Sequence, residues 1–129
     1  MKIDHLAIWV DDIEAMRRFY LKYFDLTSGE KYVSTSRDFT SYFLSFGEGT
    51  TRIELMASPD IQDTVGARGF TRGVCHFAIS VGGKAAVDAL TERLREDGYT
   101  IASKPRTTGD GYYESVVLDP EGNYVEISA

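Results

Sequence analysis

The sequence predicts an α+β fold built from two tandem modules, each a strand, a helix and three further strands, and three observations carry that prediction. The chain of 129 residues contains itself twice: residues 4–10 read Asp-His-Leu-Ala-Ile-Trp-Val and residues 75–81 read Cys-His-Phe-Ala-Ile-Ser-Val, so His-x-Ala-Ile-x-Val recurs after about 71 residues. Each copy then passes through a short polar turn into a segment of helical period. Each also ends in a strand with a glutamate between aliphatic residues, Ile53-Glu54-Leu55 and Val125-Glu126-Ile127, and both follow a Glu-Gly turn. The interval from histidine to glutamate is 49 residues in the first copy and 50 in the second. The reading is therefore a single domain over residues 1–129, with module 1 at about 1–58 and module 2 at about 73–129. Ser58 to Gly73, with Pro59, Gly66 and Gly69, connects them.

In module 1, Ile3 to Val10 alternates as a strand does, and Asp11 or Asp12 can cap the helix that follows. Ile13, Met16, Phe19, Tyr20, Tyr23 and Phe24 then fall on one helical face. Strands are expected around 30–35, 40–46 and 51–56, the first of them weakly patterned. In module 2, Val74 to Val81 reads as a strand and Gly82-Gly83 as a turn. Lys84 to Asp97 reads as a helix with Val87, Leu90 and Leu94 inward and Gly98 as its stop. Strands near 99–103, 112–118 and 123–128 complete the copy.

Composition narrows the function classes. Fourteen Lys and Arg against twenty Asp and Glu give a net charge of −6, with no basic block, which speaks against nucleic acid or an anionic membrane as partner. No apolar run approaches the roughly 18 residues of a membrane span, and residues 1–10 read as a strand rather than a signal peptide, so a cytoplasmic protein is expected. The single cysteine, Cys75, excludes an internal disulfide and a zinc-finger framework.

Strand parity sets the direction of the repeated polar residues. Leu6, Ile8 and Val10 share one face, leaving His5, Ala7 and Trp9 on the other; Phe77, Ile79 and Val81 likewise oppose His76, Ala78 and Ser80. Glu54 opposes Ile53 and Leu55, and Glu126 opposes Val125 and Ile127. One histidine on a strand is usually a structural residue, but these are the only two in the chain and they occupy the same slot of a duplicated unit. Two carboxylates on such a surface repel unless a cation neutralises them. Two imidazoles and two carboxylates form a mixed nitrogen and oxygen set suited to Ni, Co, Fe, Mn or Zn, with positions left for water or substrate.

The motifs Asp4-His5-Leu6-Ala7-Ile8, Arg52-Ile53-Glu54-Leu55, Cys75-His76-Phe77-Ala78-Ile79 and Asp119-Pro120-Glu121-Gly122-Asn123-Tyr124-Val125-Glu126-Ile127 resemble those of the glyoxalase/bleomycin-resistance/dioxygenase group, the vicinal oxygen chelate superfamily. The resemblance spans essentially the whole chain. It implies paired βαβββ modules whose curled mixed sheets surround a central metal-binding cavity, with helices outside. It implies His5, Glu54, His76 and Glu126 as ligands of one divalent ion, an order similar to that of bacterial glyoxalase I. The activity implied is a lyase or isomerase reaction on the hemithioacetal of methylglyoxal and a thiol, through a metal-bound enediolate. Glu126 would be the base, with Glu54 sharing that role.

Glutathione-using relatives commonly carry Arg and Asn where this chain has Trp9 and Ser58, which leaves the thiol open. Arg72, four residues before His76, matches a family position that engages substrate carboxylate. Residues 104–113 resemble a loop of uncharacterised relatives, with glycines expected to make it a mobile flap; parity puts Tyr113 and Ser115 toward the cavity and Val116 and Leu118 toward the helices. A second reading is another metal-dependent reaction of the superfamily: epimerisation, thiol transfer to an antibiotic, or dioxygenation. A third is a metal-free protein that binds a small hydrophobic drug in a cleft of Trp9, Tyr112 and Tyr113. A small-molecule substrate and a homodimer are the partners the family resemblance implies.

Overall fold

The computed structural model describes residues 3–63, 66, 68–70 and 72–129. They fall into two compact units that divide after Asp63, each an α+β layer of one helix on one sheet.

In the first unit, β1 (His5–Trp9) leads into α1 (Ile13–Phe24), followed by β2 (Thr27–Ser28), β3 (Tyr32–Val33), β4 (Thr40–Ser45) and β5 (Arg52–Ala57). The sheet order is β1-β5-β4-β2, with β3 also on β4. β1 runs parallel to β5, so the repeated histidine strand and the repeated glutamate strand lie side by side, Leu6 beside Ile53 and Ala7 beside Glu54. Asp12 is the residue that caps α1, its Oδ1 accepting from the Ala15 amide at 2.9 Å. All six apolar residues expected on the inner face of α1 are buried there, packed on Leu44, Ile53 and Leu55 of the sheet. The helix ends where Asp25 turns left-handed, at φ 55°. The weakly patterned strand is only two residues long, and β2 is an addition the pattern did not reveal, because two residues carry no period.

The second unit repeats the plan: β6 (Phe77–Ser80), α2 (Lys84–Glu96), β7 (Ile101–Thr107), β8 (Tyr113–Leu118) and β9 (Tyr124–Ser128), ordered β6-β9-β8-β7 with β6 parallel to β9. Val87 and Leu94 are buried as expected, whereas Leu90 is only half-buried and Thr91 takes an inner position instead. Thr91 can do so because its Oγ1 donates to the Val87 carbonyl at 2.6 Å and accepts from Ser115 Oγ at 2.6 Å, which satisfies both hydroxyls inside the core. Gly98, at φ 88°, permits the reversal in which the Tyr99 amide closes back on the Leu94 carbonyl. Among the described residues, no helix is long and apolar enough to cross a membrane.

The facing of β8 corrects the parity reading. Ser115 and Val117 are fully buried against α2, and the Tyr113 hydroxyl donates to Asp88 on that helix at 2.7 Å. Glu114, Val116 and Leu118 therefore take the opposite face. The run Val116-Val117-Leu118 has no alternation to reveal its register; pairing with β9 decides it, placing Val117 opposite buried Val125 and Val116 opposite Glu126. The expected flap is also shorter than its sequence suggested. β7 continues to Thr107, and residues 108–112 form a closed turn, the Thr108 amide donating to the Tyr112 carbonyl and Thr108 Oγ1 to Asp110. Pro105 is tolerated because β7 is an edge strand with shifted register there.

Candidate metal centre

Each unit brings one histidine and one glutamate together. His5 stands at the start of β1 and Glu54 in the middle of β5, on the sheet face away from α1, with His5 Nε2 3.7 Å from Glu54 Oε2. His76 immediately precedes β6, and its Nε2 lies 3.5 Å from Glu126 Oε2 on β9. In both pairs the carboxylate is the more sheltered partner, 14% and 17% exposed against 40% and 47% for the imidazoles.

The residue before each histidine fixes its ring. His5 Nδ1 lies 2.9 Å from Asp4 Oδ2. A carboxylate only accepts, so Nδ1 donates, and in the Nδ1–H tautomer Nε2 turns its lone pair toward Glu54. Asp4 is held in turn by Arg52 Nη2 at 2.5 Å, and these two contacts keep its carboxyl below the ordinary carboxylate range, the His5 bond contributing more. In the second unit Cys75 Sγ lies 3.2 Å from His76 Nδ1, in the same slot as Asp4. The sequence motifs contained both residues; their role depends on side-chain direction, which the motif leaves open.

The surroundings of the two glutamates differ. Phe43, opposite Glu54 in the register of β4 and β5, meets the His5 ring edge-on at 5.4 Å, and the Arg52 guanidinium lies 4.3 Å over it. Glu126 instead faces another acid. Burial raises its pKa first and the nearby Glu114 carboxyl second, while His76 lowers it. Glu114 escaped the sequence reading because the misplaced parity of β8 turned it toward the helix.

Of the other expected site residues, Trp9 is 40% exposed and continues the His5 face of β1, beside Met56. Arg72 is exposed in the bend four residues before His76. Tyr113 points to α2, so the geometric reason for giving it a substrate contact is gone.

The donor chemistry fits a divalent cation. In each pair Nε2 faces carboxylate oxygen, at 3.7 Å and 3.5 Å, a separation longer than a strong hydrogen bond, and in the Nδ1–H tautomer of each ring the two groups are opposed acceptors that a cation between them would satisfy. Donors that each sit about 2.0–2.2 Å from one ion can lie no more than about 4.4 Å apart, and both pairs fall within that span. Among the described residues no three His, Cys, Asp or Glu side chains gather into a metal-holding group; each unit supplies a pair.

A family model described as the Glyoxalase/Bleomycin resistance protein/Dioxygenase superfamily matches residues 2–127. The uncharacterized protein YqjT of Bacillus subtilis (strain 168) is 27% identical over 134 residues, covering 97% of this chain and 96% of its own. Glyoxalase I from Zea mays superposes with a TM-score of 0.79 at 23% identity, over 98% of this chain and 44% of its own, so the chain spans less than half of that protein. A possible glyoxalase from Bacillus cereus superposes with a TM-score of 0.72 at 26% identity, over 100% of this chain and 99% of its own.

Proposed function

The chain belongs to the Glyoxalase/Bleomycin resistance protein/Dioxygenase superfamily, and from that premise we propose that it is a cytoplasmic, homodimeric lyase or isomerase of glyoxalase I type, acting on the hemithioacetal of methylglyoxal and a thiol. The supporting observation is the repeated pair: an imidazole anchored through Nδ1, with Nε2 turned to a sheltered glutamate, once in each unit.

His5, Glu54, His76 and Glu126 would hold one divalent cation, with Ni, Co, Zn, Mn or Fe suiting their donors. When bound, that cation supplies positive charge against the negative charge that develops on the two neighbouring oxygens of the substrate. Asp4 accepts from His5 Nδ1 and so keeps that Nε2 free to bind the cation, while Cys75 orients the His76 ring through its Nδ1. Glu126 takes the proton from the sulfur-bearing carbon and returns it to the adjacent carbon. Glu54, beside Phe43 and without an acidic neighbour on that strand position, serves the same reaction from the other pair. Trp9 and Arg72 are the substrate contacts proposed, Trp9 against the apolar part of the thiol and Arg72 against a carboxylate.

The test is an isomerase assay on protein loaded with each of the five metals, using methylglyoxal with glutathione and with other small thiols. Turnover with at least one metal and thiol is expected. Metal uptake without turnover on any thiol would move the protein to another metal-dependent reaction of the superfamily. Failure to take up any divalent ion would leave the drug-binding reading, in which Trp9 and Tyr112 remain exposed but Tyr113 does not contribute.

A further inference from the structure

The duplicated register allows the two pairs to be compared position by position, and they differ in where their additional carboxylate stands: Asp4 beside the histidine in the first unit, where the second has Cys75, and Glu114 beside the glutamate in the second. Phe43 opposes Glu54 across β4 and β5, as Val116 opposes Glu126 across β8 and β9. Two residues earlier on the neighbouring strand, the first unit carries Ser41 and the second carries Glu114. Strand alternation sends Glu114 to the face of Glu126, diagonally beside it. Its side chain is only 12% exposed, and its carboxyl is close enough to raise the pKa of Glu126.

Arg106 on β7 is paired with Glu114 in the sheet register, its Nη2 3.6 Å from Glu114 Oε1. The Arg106 side chain is 55% exposed, where solvent weakens such a pairing. In the second pair the additional carboxylate therefore stands against the glutamate itself, sheltered and only loosely held by a guanidinium, whereas in the first pair the additional acid, Asp4, is bound to His5 and Arg52. When both acids are ionised, repulsion from Glu114 favours the Glu126 carboxylate turning toward His76, whose Nε2 lies 3.5 Å from it.

We infer that Glu114 is a positioning residue that acts through Glu126, turning its carboxylate toward His76 Nε2 and strengthening the hold on a divalent cation, with Arg106 opposing that effect. The inference rests on the cation reading proposed above. Its alternative is a residue that only ties the β7–β8 hairpin together through Arg106.

The experiment titrates the full chain with Ni²⁺ by calorimetry and follows thermal unfolding of the metal-free protein, for wild type, Glu114→Gln, Glu114→Asp and Arg106→Gln. Loss of one nearby charge is expected to weaken Ni²⁺ binding about tenfold in Glu114→Gln. Glu114→Asp restores most of that loss, and Arg106→Gln tightens binding. Metal-free Glu114→Gln melts no lower than wild type, because a repulsive contact has gone. Equal Ni²⁺ affinity in wild type and Glu114→Gln, with a lower melting temperature for the variant, overturns the inference in favour of the hairpin tie. Should Glu114→Gln fail to fold, Arg106→Gln decides: tighter binding supports the inference, and unchanged or weaker binding overturns it. Wild type that takes up no Ni²⁺ overturns the cation reading together with this one, whereas equal affinities leave the cation reading standing.

Discussion

Glutamate 126 is the residue on which most of the chemistry converges, and its surroundings make its behaviour testable without a substrate. Burial and the Glu114 carboxyl raise its pKa in the folded protein. An acid raised in this way binds its proton more tightly folded than unfolded. Its effect on stability is therefore neutral at low pH and grows unfavourable as pH climbs from the unfolded value through the folded one. In the metal-free protein, Glu126→Gln should be at least as stable as wild type at pH 7, and that advantage should vanish near about pH 4, as measured by urea unfolding at the two pH values. In the metal-loaded protein the same substitution should abolish turnover while leaving the circular dichroism spectrum unchanged; full activity would remove Glu126 as the base. Glu54 and Glu126, identical in motif, are thus unequal in environment. The sequence shows their common slot, but the inequality arises from Phe43 and Val116 and from Ser41 and Glu114, which only register brings alongside.

At the scale of elements, α1 and its inner face were legible because six apolar side chains repeat at its period, while the choice of Asp12 over Asp11 as its cap came from the structure. α2 was legible in extent but not in its inner face, where Thr91 stands among aliphatics. Hydropathy marks threonine for the surface; its hydroxyl is accommodated by Val87 and Ser115, contacts that exist only once helix and strand are packed. Thr91→Val should destabilise the protein by about 1–3 kcal/mol, since Ser115 then buries a hydroxyl without its acceptor. Adding Ser115→Ala should recover part of that loss. Urea denaturation of the single and double variants measures both, and a double variant less stable than Thr91→Val would contradict the pairing. β8 was located correctly and faced incorrectly for a related reason: three consecutive apolar residues fit either parity, and the partner strand β9 chooses.

For the whole molecule, the prediction concerns how many ions the chain takes. If His5, Glu54, His76 and Glu126 hold one ion together, removing either histidine should cost all of the tightly bound metal. If the two pairs act separately, each substitution should cost half. Metal content of His5→Ala and His76→Ala after nickel loading and desalting distinguishes the two, and retention of half in each would refute the shared ion. Binding to the folded state alone should also stabilise wild type by about 2.7 kcal/mol at free nickel a hundredfold above its Kd, reversed by a chelator. The sequence by itself determined the duplicated α+β plan, both helices and the two histidine–glutamate pairs, because periodicity and repetition are local properties of the chain. Which ring nitrogen faces each glutamate, which face Tyr113 and Glu114 take, and which acid stands beside Glu126 were decided by tertiary structure alone. Each of these depends on strand register and on side chains distant in sequence, and a shift of one residue reverses every direction in a strand.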